Sequence, residues 1–175
     1  MRVFVLSTGR SGTTTFSHAC SHMTNFTVAH ESRTSHIGIY RVNFPDNHIE
    51  VDNRLSWILG RLDELYGDNA YYVHLLREKG KVAESYNERW DSSLSIMRAY
   101  SEGIMMSSRK DLAVCYDYVD TVNANIRMFL RDKTRKLNVH LETARTDFRK
   151  FWQEISADGD LESALTEWAV LYNKR

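Results

Sequence analysis

The first sixteen residues contain the feature that most restricts the fold. An apolar stretch typical of a β-strand, RVFVLS at residues 2–7, runs directly into STGRSGTT at residues 7–14. The first stretch predicts a buried strand, and the pattern after the turn predicts a helix from about Thr13 to Met23. A buried strand, a turn of small residues and a helix together favour a fold in which helices follow strands.

The rest of the chain repeats this alternation. Four more strands are predicted, at FTVAH, HIEV, YYVHLL and LNVHLE. Strands separated by helices predict a three-layer α/β/α fold with a central parallel sheet of four to five strands, similar to that of P-loop NTPases. With one proline and no low-complexity linker, residues 1–175 are expected to form a single domain.

Helices are predicted wherever apolar residues recur at helical spacing. RLSWILGRLDELY, at residues 54–66, is predicted as one helix that Asp52 or Asn53 caps and Gly67 ends. Further helical patterns cover residues 80–89, 93–106 and 111–131. Two helices close the chain, with Phe148, Trp152 and Trp168 as expected core residues and Tyr172 near the end of the last helix. The polar, patternless residues 31–46 are interpreted as a loop around a binding site.

The composition excludes several classes of protein. The formal net charge is zero, so neither a nucleic-acid partner nor a membrane partner is expected. Cys20 and Cys115 lack metal-like spacing, which indicates free thiols in a reducing compartment. A strand that starts at Arg2 leaves no room for a signal peptide, and no apolar run has the length of a membrane span. We therefore expect a cytoplasmic protein.

The turn after the first strand is suited to binding an anion. Gly9 and Gly12 allow backbone conformations that a side chain disfavours, so main-chain N–H groups can face a ligand. Arg10 adds a forked positive charge that matches phosphate or sulfate oxygens. Hydroxyl donors come from Ser11, Thr13 and Thr14. A glycine-rich turn that binds nothing is the alternative interpretation.

A second motif, LLREKGKVAESY, follows the YYVHLL strand. The strand ends near Arg77, and Ser85 comes eight residues later. Taken alone, this pair is equally compatible with an arginine that pairs with a nearby carboxylate and a helix serine without a special role. In parallel sheets, ligands bind beyond the carboxyl ends of the strands. Both motifs, together with HES and VDN, are therefore expected at one edge of the sheet.

Together the two motifs resemble those of the PAPS-dependent sulfotransferases. TGRSGTT is similar to the family's 5′-phosphosulfate loop, and LLREKGKVAESY is similar to its 3′-phosphate motif. NVHLETARTDFRKFW and the ending WAVLYNKR are similar to later segments of bacterial and tyrosylprotein-type members. The chain is shorter than most members, which predicts a small acceptor-binding part or one that a partner supplies.

The resemblance implies in-line transfer of a sulfuryl group from 3′-phosphoadenosine 5′-phosphosulfate (PAPS) to a hydroxyl or amine acceptor. Adenosine 3′,5′-bisphosphate (PAP) would be the product. Positioning and electrostatics dominate such a reaction when its transition state is loose. Arg10 would stabilise charge on the leaving phosphate, and no metal would be required. The donor-binding residues that the resemblance implies are Thr8, Gly9, Arg10, Ser11, Gly12, Thr13, Thr14, Arg77 and Ser85.

The acceptor hydroxyl needs a base, and the second strand ends in AHES. Glu31 matches the catalytic glutamate of tyrosylprotein-type members. His30 is the competing candidate, and it is expected to point to the opposite side if both residues lie in a strand. A solvated Glu31, or one paired with Arg10 or Arg33, is the non-catalytic interpretation. His36 and Arg33 are candidate acceptor contacts. The acceptor and the oligomeric state are left open.

The same motifs are compatible with two other functions. In a magnesium-dependent kinase or other phosphotransferase, Asp52 and Glu142 could follow their strands as a Walker B carboxylate does. However, Ser7 and Thr13 stand where the P-loop consensus has glycine and lysine. A relative that binds a nucleotide without catalysis is the other alternative.

A zinc site is also considered. His18 and His22 are four residues apart on the predicted first helix, a spacing that zinc sites use. Cys20 lies on the far side of that helix, and no third ligand is suggested. No metal site is therefore predicted.

Overall fold

The computed structural model describes residues 1–92, 95–170 and 172. Its five strands are β1 (Arg2–Leu6), β2 (Thr27–His30), β3 (His48–Val51), β4 (Ala70–Leu76) and β5 (Lys136–His140). They form one sheet in the order β2–β3–β1–β4–β5, and every pairing is parallel. The predicted parallel sheet is confirmed, and each strand lies within two residues of its predicted bounds.

The central strand is buried on both faces, which explains its continuous apolar sequence. Phe4 and Leu6 point to one face of the sheet, and Val3 and Val5 point to the other. All four side chains are fully buried. Each face therefore needs its own layer of helices.

Seven α-helices among the described residues supply those layers. They are α1 (Thr13–Cys20), α2 (Leu59–Tyr66), α3 (Lys79–Asn87), α4 (Ile96–Arg98), α5 (Leu112–Leu130), α6 (Ala144–Glu154) and α7 (Leu161–Thr166). Buried residues of α2, α3, α4 and α5 pack in the core on the Phe4 side of the sheet. Those of α1, α6 and α7 pack on the Val5 side. The three-layer α/β/α prediction is confirmed.

Two predicted helices have a different form in the structure. Residues 54–66 do not form one helix, because Ile58 has a non-helical backbone (φ −131°, ψ 34°) between a 3₁₀ helix at Asn53–Trp57 and α2. Gly67 does end α2, with a φ of 50° that favours glycine. In the region of the helix predicted over residues 93–106, the structure has the short helix α4 followed directly by a π-helix at Ala99–Ile104. Residues 93 and 94 lie outside the described residues.

The first and last helices are shorter than predicted. α1 ends at Cys20 rather than Met23, where the Ser21 N–H turns back to the carbonyl oxygens of Ser17 and His18. After α7 a 3₁₀ turn at Glu167–Ala169 ends the helical structure, so Tyr172 is not in a helix. The Asn and basic residues of the WAVLYNKR ending, residues 173–175, lie outside the described residues.

Among the described residues, no helix is both long and apolar enough to cross a membrane. Cys20 and Cys115 are buried free thiols in the described part of the chain. The cytoplasmic location stays a prediction.

Candidate functional site

The carboxyl ends of the five strands meet at one edge of the sheet, because all the strands run in the same direction. The loop that follows β1 lies at the centre of this edge, since β1 is the middle strand. Two helices anchor it, because the Thr8 carbonyl oxygen accepts hydrogen bonds from the hydroxyls of Tyr86 (2.6 Å) and Tyr118 (2.9 Å). The Gly9 N–H donates to Ser7 Oγ at 3.0 Å. The start of the loop is thus fixed from within the protein.

Three of the next four loop residues have positive φ angles. They are 80° at Gly9, 55° at Arg10 and 94° at Gly12. A Cβ at Gly9 would lie 2.3 Å from the Tyr86 hydroxyl, and one at Gly12 would lie 2.8 Å from Leu141 Cδ1. Gly12 is the N-cap of α1, and it has no side chain with which to cap the helix. The positive end of α1 therefore lies at this edge of the sheet, where it favours an anion.

The two predicted motifs contact each other directly. Arg77 Nη1 donates to the Arg10 carbonyl oxygen at 2.9 Å, and Arg10 Nε donates to Ser85 Oγ at 3.1 Å. Arg89, which the sequence analysis did not single out, donates to both the hydroxyl and the carbonyl oxygen of Ser85. The structure thus brings Arg10, Arg77 and Ser85 together and adds Arg89 to them.

This arginine cluster has little negative charge near it. Within the described ranges neither Arg10 nor Arg77 forms an ion pair, and Arg89 approaches only Glu88, at 3.9 Å. Burial and the charge of Arg89, together with that of Arg77, lower the pKa of Arg10 despite an opposing effect of Tyr86. Concentrated, half-buried positive charge is unfavourable unless an anion compensates it. The cluster is therefore suited to an anionic ligand.

Two cavities flank the loop, and Arg10, Thr13 and Thr14 line both of them. The first, about 310 Å³, is called the Glu31 cavity. Its lining comprises Gly9, Arg10, Thr13, Thr14, His30, Glu31, Asn53, Arg54, Tyr86, Arg89, Ser92, Ser95 and Ile96. The second, about 260 Å³, is called the Arg77 cavity. Its lining comprises Arg10, Gly12, Thr13, Thr14, Thr15, Arg77, Leu141, Trp168, Val170 and Tyr172.

Both candidate bases lie at the Glu31 cavity. The expectation that His30 and Glu31 point to opposite sides applied only if both lie in a strand, and this condition is not met, because β2 ends at His30 and Glu31 has a positive φ of 52°. Strand alternation therefore stops between them. Glu31 Oε2 accepts a hydrogen bond from Arg54 Nη1 at 2.6 Å, rather than pairing with Arg10 or Arg33.

Several predicted residues do not line either cavity. The Thr8 hydroxyl donates to the Gly9 carbonyl oxygen, and Ser11 Oγ is buried without a hydrogen-bond partner among the described residues. Ser85 reaches the Glu31 cavity only through Arg10 and Arg89. Arg33 donates to the Tyr40 carbonyl oxygen and lies over the ring of Phe44, and His36 is exposed on the same loop.

Five polar residues of the Glu31 cavity were given no role in the site from the sequence. They are Asn53, Arg54, Arg89, Ser92 and Ser95. Asn53 and Arg54 follow β3 directly, at the VDN segment expected at this edge. Arg89 comes four residues after Ser85, one helical turn further along the chain, and that spacing could have indicated it.

The Arg77 cavity combines the strand-end arginine with aromatic residues from the end of the chain. Trp168 packs against Phe16 and Phe148, with ring centroids 5.9 and 5.6 Å apart, which agrees with its predicted core position. Its indole Nε1 is buried and has no hydrogen-bond partner in the described part of the chain. A buried donor without a partner is unfavourable unless a water or a ligand accepts a hydrogen bond from it.

The carboxylates considered for magnesium have structural partners. Asp52 is fully buried and pairs with Arg41 Nη2 at 2.6 Å, and its other oxygen accepts the Arg54 N–H. Burial raises the pKa of Asp52 despite the opposing charge of Arg41. Glu142 Oε1 accepts the Glu78 N–H at 2.9 Å, just before α3. Both carboxylates therefore hold the edge of the sheet together.

The two histidines considered for zinc also have other partners. The His22 ring bonds to Glu167 at 2.9 Å, and the His18 ring stacks on Tyr172. His22 lies beyond the end of α1, so the two residues do not share a helical face. The described residues include no group of three or more His, Cys, Asp or Glu side chains that could hold a metal ion.

The fold can be compared with known proteins. No family model matches the sequence, and no curated protein matches it significantly. Among solved structures, it is similar to the crystal structure of mouse sulfotransferase SULT7A1 complexed with PAP, with a TM-score of 0.64 and 12% sequence identity. The similarity covers 96% of this chain and 63% of that one. The chain has a sulfotransferase-like fold.

In this sulfotransferase-like fold the two cavities lie on opposite sides of β1. The Glu31 cavity takes residues directly after β2 and β3 together with residues of α3 and of the segment between α3 and α4, whereas the Arg77 cavity takes residues directly after β4 and β5 together with residues near the end of the chain. The loop after β1 lies between them and contributes Arg10 to both. A ligand bound over the loop could therefore extend into either cavity.

Proposed function

We propose that the protein is a sulfotransferase that moves a sulfuryl group from PAPS to a hydroxyl or amine acceptor and releases PAP. The observation that carries the proposal is the cluster of Arg10, Arg77 and Arg89 around a glycine-rich loop between two cavities, in which neither Arg10 nor Arg77 forms an ion pair with a described residue. The likeness in fold to a sulfotransferase crystallised with PAP supports it. In this proposal the reaction requires no metal, and the protein has neither a nucleic-acid partner nor a membrane partner. The proposed location is the cytoplasm.

The donor would lie across the loop with its adenosine end in the Arg77 cavity. The 5′-phosphate would take the main-chain N–H groups of the loop and of the first turn of α1. Arg77 would bind the 3′-phosphate, and Ser85 has a hydroxyl proton left to donate, because it only accepts from Arg10 and Arg89. Trp168 and Tyr172 would provide aromatic surface for the adenine.

The sulfuryl end would then face the Glu31 cavity. The acceptor oxygen attacks sulfur, the bond from sulfur to the bridging phosphate oxygen breaks, and Glu31 takes the acceptor proton. Arg10, which lines both cavities, would stabilise the negative charge that develops on the leaving phosphate. His30 lies at the same cavity and is the competing base.

The acceptor would approach along an open groove of about 650 Å³ next to the Glu31 cavity. The groove is lined by Arg54, Ser95, Ile96, Arg98, Ala99, Glu102 and Gly103. Arg54, Ser95 and Ile96 line the Glu31 cavity as well. An acceptor hydroxyl at Glu31 could therefore extend the rest of the molecule past Arg54 into this groove.

Thermal unfolding with PAP tests the donor part of this proposal. PAP at about one hundred times its Kd, without magnesium, should raise the Tm by about 5–10 °C. ATP with magnesium should have little effect, and the reverse result would favour a phosphotransferase. PAP binding without transfer from PAPS to any acceptor in a panel of alcohols, phenols and amines would favour a non-catalytic nucleotide-binding protein.

A further inference from the structure

A carboxylate lies in the middle of β3, where the sheet is closed on both faces. Glu50 pairs in register with Phe4 of β1 and Ala29 of β2, and it is fully buried. A carboxylate in such a position is unfavourable unless several hydrogen bonds compensate it. Glu50 lines neither cavity, so any effect it has on a ligand must act through other residues.

The partners of Glu50 connect it to the residue after the proposed base. The Ser32 N–H donates to Oε1 at 2.8 Å, and the Ser32 hydroxyl donates to Oε2 at 2.7 Å. The His48 ring lies 3.1 Å from Oε2. Burial favours the neutral form of Glu50, but the hydrogen bonds from His48 and Ser32 outweigh it and lower its pKa. The buried group is thus an acceptor carboxylate at neutral pH.

Hydrogen bonds lie on both sides of the backbone at Glu31. The Glu31 N–H donates to the Val51 carbonyl oxygen at 3.1 Å, and the next N–H, that of Ser32, is bound to Glu50. Residue 31 is therefore held on both sides in a left-handed conformation, with a φ of 52°, which residues other than glycine seldom adopt. In this conformation the Glu31 side chain lies at the same cavity as His30 and reaches Arg54.

We propose that Glu50 is a positioning residue for sulfuryl transfer: through Ser32 it holds Glu31 in the left-handed conformation that directs its carboxylate into the Glu31 cavity. This inference rests on the proposed function, in which Glu31 is the base. Glu50 does not itself touch donor or acceptor. Its hydrogen bonds stabilise at residue 31 a left-handed conformation that otherwise favours glycine.

Three variants separate positioning from simple stability. Glu50→Leu keeps a side chain of similar size but removes all three hydrogen bonds. Glu50→Gln retains one oxygen that can accept the Ser32 N–H, so it should restore most of what Glu50→Leu loses. Ser32→Ala removes only the hydroxyl bond and lies at an exposed residue, so it remains informative if Glu50→Leu does not fold.

A matched control lies at the opposite edge of the sheet. Asp68 accepts hydrogen bonds from both the N–H and the hydroxyl of Thr134, as Glu50 does from Ser32. Asp68→Asn therefore disturbs the same kind of contact, far from either cavity. It should leave transfer and PAP affinity unchanged.

Crystal structures of these variants test the geometry without any assay. In Glu50→Leu, residue 31 should change to a negative φ and its carboxylate should move away from Arg54. Glu50→Gln and Ser32→Ala should keep the original arrangement, because in both the N–H of residue 32 still has an acceptor at residue 50. A left-handed Glu31 still bound to Arg54 in Glu50→Leu, or a Glu31 displaced from Arg54 in Glu50→Gln or Ser32→Ala, would overturn the proposal.

Kinetics test the consequence. The measurement is the rate of PAP release when the sulfuryl group of PAPS is transferred to water or to a phenol. Glu50→Leu should lower the turnover rate on the order of tenfold to a hundredfold, without changing PAP affinity. In a Glu31→Gln background it should cause no further loss, because the two residues act as one unit. An equal additional loss there would contradict the proposal. If the wild type does not bind PAP, the proposed function fails, and the variant structures still decide whether Glu50 positions Glu31.

Discussion

The two cavities beside the central loop differ in charge and in how their side chains are held. None of the described residues that line the Arg77 cavity is acidic, and its strand-end arginine is bonded to the loop backbone. The Glu31 cavity contains a carboxylate, three arginines and a histidine. The Arg77 cavity is thus suited to binding an anion, and the Glu31 cavity is suited to proton transfer next to an anion.

The difference extends into the structure behind each cavity. Behind the Glu31 cavity, buried polar pairs lie under the ends of β2 and β3, namely Asp52 with Arg41 and Glu50 with His48. Behind the Arg77 cavity lie apolar and aromatic contacts among Phe16, Phe148 and Trp168. Substitutions on the first side should therefore change turnover, and those on the second should change affinity.

The largest effect is expected from Glu31→Gln. Loss of the proton acceptor should lower turnover about 10²- to 10⁴-fold while PAP affinity stays unchanged. His30→Gln is the comparison, because His30 lies at the same cavity. Turnover is measured as the steady-state rate with PAPS, and PAP affinity is measured by calorimetric titration. A greater loss of turnover in His30→Gln would assign the base to His30.

The converse effect is expected from Arg77→Ala. Removal of a charged donor should weaken PAP binding about 10- to 100-fold, whereas adenosine 5′-phosphosulfate, which lacks the 3′-phosphate, should bind as before. Calorimetric titration of both ligands measures this. Arg131→Ala, at an exposed arginine, is the control. Equal losses for the two ligands would mean that Arg77 acts only through its bond to the Arg10 carbonyl oxygen.

A stability effect is expected at the loop that both cavities share. Gly12→Ala places a side chain at a φ of 94° and against Leu141, so it should lower the free energy of unfolding by about 1–3 kcal/mol and weaken PAP binding. Gly103→Ala is the control, because a Cβ there meets open space. Urea unfolding measures the difference. Full stability and affinity in Gly12→Ala would show that the loop tolerates a side chain there.

The smallest effect is expected from Trp168→Phe. The indole Nε1 is buried without a partner among the described residues, so its removal should not destabilise the free protein. If the adenine accepts a hydrogen bond from it, PAP affinity should fall about two- to tenfold. Thermal unfolding and PAP titration measure the two effects. Lower stability with unchanged affinity would make Trp168 a core residue alone.

The sequence predicts one of the two sides better than the other. The loop after β1 is visible because Gly9 and Gly12 are close together and follow a continuous apolar strand. Arg77 is visible because its strand is equally apolar. These signals are local, and the parallel order of the strands then brings them together at one edge.

The Glu31 side depends on contacts between distant residues. Glu31 is left-handed although it is not glycine, and no local pattern indicates this. The bonds that hold it come from Glu50 and Arg54, which lie beyond a long polar loop in the sequence. For the same reason the non-catalytic interpretation of Glu31 considered Arg10 or Arg33 as its partner instead of Arg54, and the break at Ile58 that separates Arg54 from α2 was not predicted.

A crystal structure of the protein with PAP would show whether the nucleotide lies across the loop after β1. We expect the 5′-phosphate on the N–H groups of the loop, the 3′-phosphate at Arg77 and the adenine beside Trp168, with the Glu31 cavity open next to the 5′-phosphate. PAP with its adenine in the Glu31 cavity, or bound away from this edge of the sheet, would contradict this binding mode.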